Sequence, residues 1–183
     1  MNITISWRAE KMYPRPKLVR LKKMLQRISQ LAGTGIRDDE TLMITFFSSA
    51  QMAEVNWDFL QHKGDTDVIC FDYRESRNDI PEMPCDFEDP DDGEEEKVVT
   101  ELLICPAVAA REAGKRGLPY SRELILYMVH GLLHASGYDD LKPELKRKMR
   151  NAERRVLTAL EKEFVFSDVI ADPLEESGRK EQN

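Results

Sequence analysis

Most informative in this sequence is the segment His130-Gly-Leu-Leu-His134-Ala-Ser-Gly137-Tyr-Asp-Asp140. Residues four apart lie on one face of a helix, so the side chains of His130 and His134 are expected to converge. Gly137 can adopt a positive φ and reverse the chain after the helix, which brings Asp140 back over the same face. Two imidazoles and one carboxylate predict a site for one zinc ion per chain, with a fourth tetrahedral position open to water.

Two histidines at this spacing also occur on the buried face of ordinary amphipathic helices. Here two of the chain's three histidines occupy it, and a glycine and a carboxylate follow in register, which favours metal binding. Asp139 is an alternative ligand, although the spacing favours Asp140. Gly131 stands where H-E-x-x-H peptidases carry their general base, so the sequence argues against proteolysis. A divalent ion in such an open site lowers the pKa of a water toward about 7 and polarises a phosphoryl oxygen.

The segments around this motif predict an α+β fold. Apolar residues recur at helical spacing, or form short β-rich runs, in nine places. Helices are expected at about 16–33, 48–59, 106–114, 121–135 and 143–166, and strands at 2–7, 41–47, 66–71 and 98–105. This order predicts a small four-stranded mixed sheet covered by about five helices, with the metal site on a central helix. Residues 1–166 are expected to form a single metal-dependent hydrolase domain, and residues 167–183 a C-terminal tail.

Charge is distributed unevenly along the 183 residues. The net charge is −7, but residues 75–97 alone contribute −9, which leaves the rest at +2. Residues 75–97 are therefore predicted to be a solvated acidic insertion. Residues 1–37 carry nine basic residues against one acid, so the first helix is a candidate surface for an RNA backbone, the alternative being an ordinary solvated helix. The basic residues of this helix are Lys17, Arg20, Lys22, Lys23 and Arg27.

The composition is that of a soluble globular protein, with 41% hydrophobic and 33% charged residues, and the features that follow predict that it is cytoplasmic. No apolar run approaches the roughly 18–20 residues that span a bilayer, and the first residues do not resemble a signal peptide. The cysteines are Cys70, Cys85 and Cys105. They form no C-x-x-C pair, which predicts free thiols in a reducing compartment.

Two separated motifs resemble those of the YbeY endoribonucleases, a family of rRNA maturation factors. The family motif H-G-x-L-H-x-x-G-Y-x-H is similar to residues 130–140. A second block, L-N-x-x-[YF] followed by T-D-V-[LI]-x-F, is similar to Val-Asn-Trp-Asp-Phe at 55–59 and Thr-Asp-Val-Ile-Cys-Phe at 66–71. The motifs match in order and spacing, and the resemblance extends over about residues 40–155.

The resemblance implies helices around a four-stranded mixed sheet, with zinc at one end of a groove. It also implies cleavage of single-stranded RNA, maturation of the 3′ end of the small-subunit (16S) rRNA, and ribosome quality control. The implied partners are an rRNA precursor and the small ribosomal subunit, with neither a membrane nor a small-molecule cofactor.

The sequence departs from the family pattern at two positions. The third ligand is most often histidine and is Asp140 here, although a carboxylate is an acceptable zinc ligand. The arginine that usually follows the aromatic residue of the second block is Leu60 here. His62 and Lys63 follow two and three residues later and are candidate catalytic residues, because either could supply the missing cation or proton donor. The alternative for His62 is an exposed histidine in a loop.

Three functions from different classes are therefore open. The favoured one is a zinc-dependent endoribonuclease, a hydrolase. The second is a non-catalytic ribosome-assembly factor in which zinc holds the fold. The third, a metalloprotease, is opposed by Gly131. Asn56, Thr66 and Asp67 are expected to order the strand and loops behind the site through hydrogen bonds between side chain and backbone.

Overall fold

The computed structural model describes residues 1–74 and 97–173, which form four strands and six helices. The first half contains β1 (Asn2–Trp7), α1 (Leu18–Ala32), β2 (Thr41–Phe46), α2 (Ser49–Leu60) and β3 (Val68–Asp72). The second half contains β4 (Val98–Ile104), α3 (Pro106–Arg116), α4 (Tyr120–His134), α5 (Pro143–Glu163) and α6 (Phe166–Val169). Nine of these elements lie where the sequence predicts them. The acidic insertion predicted at 75–97 lies outside the described residues, except for Lys97.

The four strands form one mixed sheet in the order β1-β2-β4-β3. β1 pairs with β2, and β2 with β4, in parallel, whereas β3 pairs antiparallel with β4. Parallel neighbours need a crossover, and α1 connects β1 to β2. The α+β class and the mixed sheet predicted from the sequence are confirmed.

α4 is the central helix of the fold. It packs against α3, α5, α1 and α6, and also against β3 and β4. Its Leu124, Ile125, Met128, Val129 and Leu132 are all fully buried, which places apolar side chains on more than one face of the helix. A helix that is apolar nearly all round belongs in a core, and α4 therefore has a rigid environment on which to carry a site.

Gly131 allows α4 to approach the sheet closely. A Cβ atom at this position would lie 2.8 Å from Leu102 Cδ2 and 3.1 Å from Val68 Cγ2. Leu102 is itself fully buried on β4 and has little room to move. The glycine is therefore a packing requirement between α4 and β4.

The predicted tail is partly wrong, because its first residues are part of the folded domain. α6 follows α5, and Phe166, Val169 and Ile170 are buried in the core. Asp172 accepts hydrogen bonds from the backbone amide of Ser121 (2.7 Å) and from its hydroxyl (3.2 Å). A carboxylate at the start of α4 also interacts favourably with the helix dipole, so this segment is fixed at both ends. Residues 174–183 lie outside the described residues.

Two further predictions are addressed by the described residues. Cys70 and Cys105 are free, whereas Cys85 lies outside the described part of the chain. In residues 1–74 and 97–173, the helices are too short or too polar to cross a bilayer.

Candidate metal centre

The last turn of α4 brings two imidazole rings together. The Nε2 atoms of His130 and His134 lie 3.0 Å apart, and the ring planes are almost perpendicular. His134 Nδ1 donates a hydrogen bond to the carbonyl oxygen of Tyr138 at 3.0 Å. Because a carbonyl can only accept, Nδ1 carries the proton and the Nε2 of the neutral ring has a free lone pair.

Glu153 on α5 orients the other imidazole in the same way. Its Oε1 lies 2.7 Å from Nδ1 of His130, which donates to the carboxylate. Burial alone would lower the pKa of His130, but the hydrogen bond to Glu153 and the nearby carboxylates outweigh it and raise this pKa. Burial, followed by the neighbouring imidazole of His130, lowers the pKa of His134. A carboxylate that holds the outer nitrogen of a histidine is the usual support of a metal-binding imidazole.

The turn after α4 carries the third group. Gly137 has φ of 85°, and the amide of Tyr138 donates back to the carbonyl of Leu133 at 3.0 Å. Asp139 Oδ1 accepts from the amides of Asp140 (2.6 Å) and Leu141 (3.0 Å) and so stabilises the turn. Asp140 Oδ1 then lies 3.8 Å from His134 Nε2. Of the two aspartates, Asp140 is the one that reaches the histidines.

These residues suit a divalent metal ion. Ligand atoms of His130, His134 and Asp140 all lie within 4.8 Å of one another. Two metal–nitrogen bonds of about 2.0–2.1 Å at a tetrahedral angle place their nitrogens about 3.3 Å apart, close to the observed 3.0 Å. With both Nδ1 atoms donating elsewhere, two Nε2 lone pairs face each other, an arrangement that a shared cation or a proton stabilises. The structure therefore brings together the three predicted ligands in a group that could hold a metal ion.

A cleft of about 550 Å³ lies beside this group. Its walls include His130 and Asp140, together with residues 65–67, the α3 residues Val108, Glu112 and Arg116, Leu126 and Tyr127 of α4, and Lys146, Met149, Arg150 and Glu153 of α5. The cleft gives an extended substrate a path to the cluster.

The predicted catalytic residues His62 and Lys63 are not among the residues that line this cleft. Both are exposed, in the loop between α2 and β3, and the amide of His62 donates to the carbonyl of Asn56. Their roles in catalysis stay predictions.

The basic side chains of α1 are partly neutralised. Arg20 forms an ion pair with Asp168 at 2.8 Å, and Arg27 makes a bidentate contact with Glu163. Lys17, Lys22 and Lys23 are exposed. The predicted RNA contact of this helix stays a prediction, carried by fewer free charges than the sequence suggests.

Asn56, Thr66 and Asp67 have the predicted structural roles, although Thr66 and Asp67 also line the cleft. Asn56 is buried, and its Nδ2 donates to the carbonyl of Gly64 at 2.8 Å. Asp67 Oδ1 accepts from the hydroxyl of Thr66 (3.0 Å) and from the amide of Val68 (2.9 Å). These bonds order the loop that leads from α2 into β3.

Glu153 is the site residue that the sequence analysis missed. It lies four residues after Met149 and three before Val156, both fully buried on the inner stripe of α5. A carboxylate between two core positions is unusual unless it has a partner, and this was the available signal.

The chain is similar to known proteins along most of its length. A family model described as Endoribonuclease YbeY matches residues 8–161. A protein named Endoribonuclease YbeY from Enterococcus faecalis is 30% identical over 159 residues, covering 87% of this chain and 97% of that protein. One from Exiguobacterium is 28% identical over 141 residues, covering 77% and 84%. One from Bifidobacterium longum subsp. infantis is 34% identical over 118 residues, covering 63% of this chain and 58% of that longer protein. The motifs, the geometry of the cluster and these matches lead to one conclusion: the chain belongs to the YbeY endoribonuclease family.

Proposed function

We propose that this protein is a zinc-dependent endoribonuclease that cleaves single-stranded RNA, in maturation of the 3′ end of the small-subunit rRNA and in ribosome quality control. Its relatives are named endoribonucleases, and its substrate would be an rRNA precursor in the cytoplasm. The observation that carries the proposal is the pair of facing Nε2 atoms, 3.0 Å apart and beside an open cleft.

The number of candidate ligands favours a catalytic ion over a structural one. Structural zinc sites are closed by four protein ligands, whereas catalytic sites have three. The group has three members among the described residues: His130, His134 and Asp140. This favours the enzyme over an assembly factor in which the metal only holds the fold.

The donor set favours zinc over magnesium or calcium. Two imidazole nitrogens and one carboxylate oxygen suit a borderline transition metal, whereas magnesium and calcium take oxygen ligands. Bound zinc would supply Lewis acidity, polarising a phosphoryl oxygen and making a water easier to deprotonate.

The chain's own residues position the metal ligands. Glu153 and the carbonyl of Tyr138 hold the two outer nitrogens, so both rings present Nε2 to the same point. The turn at Gly137 sets Asp140 beside them, and the cleft admits the strand to be cut.

Proteolysis is disfavoured by packing as well as by sequence. The position after the first histidine faces Leu102 and Val68, and even a Cβ atom there is too close to Leu102. The glutamate of an H-E-x-x-H peptidase does not fit this position unless the buried side chain of Leu102 moves.

Metal content and RNA cleavage, measured together, test the proposal. Metal analysis should find one zinc per wild-type chain and little zinc in His130→Ala, His134→Ala and Asp140→Ala. The wild type should cut a labelled single-stranded RNA, and the three variants should not. Cleavage that persists in all three would identify a contaminating nuclease and overturn the proposal. Zinc binding without wild-type cleavage would favour the assembly factor.

His62→Ala is the matched control, because it removes the chain's third histidine without touching the cluster. It should retain zinc. If His62 donates a proton, this variant should also cut RNA more slowly, and Lys63→Gln should do so if Lys63 supplies the cation. Loss of zinc from His62→Ala would contradict the ligand assignment.

A further inference from the structure

The first two-thirds of α5, together with Lys142 just before it, is rich in cations that have no acidic partner among the described residues. Residues 142–155 contain seven basic residues and two acids, Glu144 and Glu153. In residues 1–74 and 97–173, no ion pair involves any of these seven basic side chains, unlike Arg20 and Arg27 of α1. An uncompensated row of cations on a folded surface attracts polyanions.

Two of these cations face the metal cluster. Lys146 and Arg150 are one helical turn apart, so they lie on the same face of α5, and both line the cleft with His130. Glu153, the next residue along that face, binds His130 at 2.7 Å. This contact fixes the cationic face of α5 relative to the cluster. The two α-carbons are separated by a rise of about 6 Å, comparable with the spacing of adjacent phosphates along a nucleic-acid strand.

Most other charges of the cleft have a partner, although Asp67 accepts only from Thr66 and Val68 and has no cationic partner among the described residues. Asp65 is paired with Arg111 at 2.9 Å, and Glu112 with Lys115 at 2.7 Å. The third cation of the cleft, Arg116, is bound to the buried Glu123 at 2.6 Å. Among the described residues that line the cleft, Lys146 and Arg150 are therefore the cations left free for a ligand.

The expected ligand is a chain with regularly spaced negative charges. The cleft, at about 550 Å³, has room for a segment of a single strand. A strand bound along Lys146 and Arg150 leads directly to His130 and Asp140, where a bound metal ion would polarise a phosphoryl oxygen.

We propose that Lys146 and Arg150 form a phosphate-binding wall that holds the backbone of single-stranded RNA in the cleft beside His130, His134 and Asp140. This inference rests on the proposed function and assigns its RNA contact to α5 instead of α1. The two residues are binding residues for the strand, and their charge is what matters.

Salt-dependent binding of a cleavage-resistant strand tests this assignment. The probe is a fluorescent 2′-O-methyl single-stranded RNA, and electrophoresis verifies that it stays intact throughout. The full-length protein is titrated by anisotropy at several salt concentrations. The slope of log K against log salt is negative, and each lost phosphate contact makes it shallower by about 0.7 for a single strand. At 0.1 M salt this corresponds to a loss of about 5-fold in affinity. Lys146→Gln/Arg150→Gln should therefore flatten the slope by about 1.4 and weaken binding about 25-fold.

Matched controls separate the cleft from general attraction. Arg147→Gln/Arg154→Gln removes two charges from the same helix outside the cleft and should leave the slope close to that of the wild type. Lys22→Gln/Lys23→Gln removes two charges from α1, the other candidate surface, and should flatten the slope less than the cleft variant does. Lys146→Arg/Arg150→Lys keeps the charges and should retain wild-type affinity. Melting temperatures confirm that each variant is folded, as expected for exposed side chains.

Three results would overturn the inference. One is an unchanged salt slope in the cleft variant, and another is an equal loss in the Arg147/Arg154 variant. The third is competition by poly-glutamate as strong as that by RNA, which would indicate a docking site for an acidic protein. A cleavage assay keeps the two proposals apart: a wild type that binds this probe but cuts no RNA contradicts the nuclease alone. If the wild type cuts RNA and the cleft variant binds and cuts it equally well, the phosphate-binding role of Lys146 and Arg150 is contradicted and the nuclease proposal is not.

Discussion

Replacing Glu153 is the sharpest test of how the metal cluster is built. Glu153→Ala removes the acceptor that fixes His130 Nδ1 at 2.7 Å, and leaves the three candidate ligands in place. Glu153→Gln keeps an acceptor oxygen but removes the negative charge. The alanine variant should therefore lose more metal affinity than the glutamine variant.

The size of the effect follows from the role of such supporting groups. Removing one typically costs 10–100-fold in metal affinity, which is about 1.4–2.7 kcal/mol. Saturating metal stabilises the fold by an amount that depends on its affinity, so the stabilisation falls by the same free energy. A free energy of 1 kcal/mol shifts the melting temperature of a chain of this size by about 2–4 °C. The metal-induced rise in melting temperature should therefore be smaller in the alanine variant by roughly 3–11 °C.

The assay compares melting temperatures with and without zinc for each variant, together with zinc competition against a chromophoric chelator. Losing the hydrogen bond also destabilises the metal-free protein, by about 1 kcal/mol. This cost is present with and without zinc, so it cancels when the metal-induced shifts of the variants are compared. Glu161→Ala on the same helix is the control, because it breaks only a half-exposed pair with Arg122. Zinc affinity equal to that of the wild type in Glu153→Ala would refute the assigned role.

Three further predictions concern the frame of the site. The hydrogen bonds from Arg111 hold the pKa of Asp65 below its usual value. The pair therefore stabilises the fold fully at a pH above the usual carboxyl pKa, and this stabilisation is lost as the pH falls through the pKa of Asp65 in the folded protein. Asp65→Asn should lower the melting temperature at pH 7 by about 2–4 °C, for about 1 kcal/mol from a half-exposed pair, and melts in acid should show this difference vanishing. Gly137→Ala, at φ of 85°, should lower the free energy of unfolding by about 1–2 kcal/mol in a thermal melt and should also lower the zinc content. Gly117→Ala, at φ of 63°, should destabilise the fold by the same amount without loss of zinc. Ser48→Ala breaks the capping box of α2 and should cost about 1 kcal/mol in chemical denaturation, with RNA cleavage unchanged.

Local signals in the sequence were enough for most of the fold. The boundaries of α1 and α4 follow from apolar spacing and from Gly33 and Gly137, both of which adopt positive φ. The ligand group was predictable for the same reason, since His130, His134 and Asp140 lie within eleven residues on one helix and its turn. Short-range geometry is the part of structure that a sequence pattern encodes directly.

Contacts between distant segments could not be read in this way. Glu153 meets His130 across 23 residues, and Arg20 meets Asp168 across 148. The first contact supports a ligand, and the second removes a charge from the helix that looked most basic. Folding brought the docked residues 166–173 against the start of α4, although they resemble a tail in sequence.

The motif's residue types and spacing thus specified the candidate ligand group, because a helix and the turn after it bring His130, His134 and Asp140 together by local geometry. Which cations stay free for RNA depended on packing, because an ion pair forms only where the fold brings opposite charges within reach. That pairing left Lys146 and Arg150 free in the cleft and neutralised two arginines of α1.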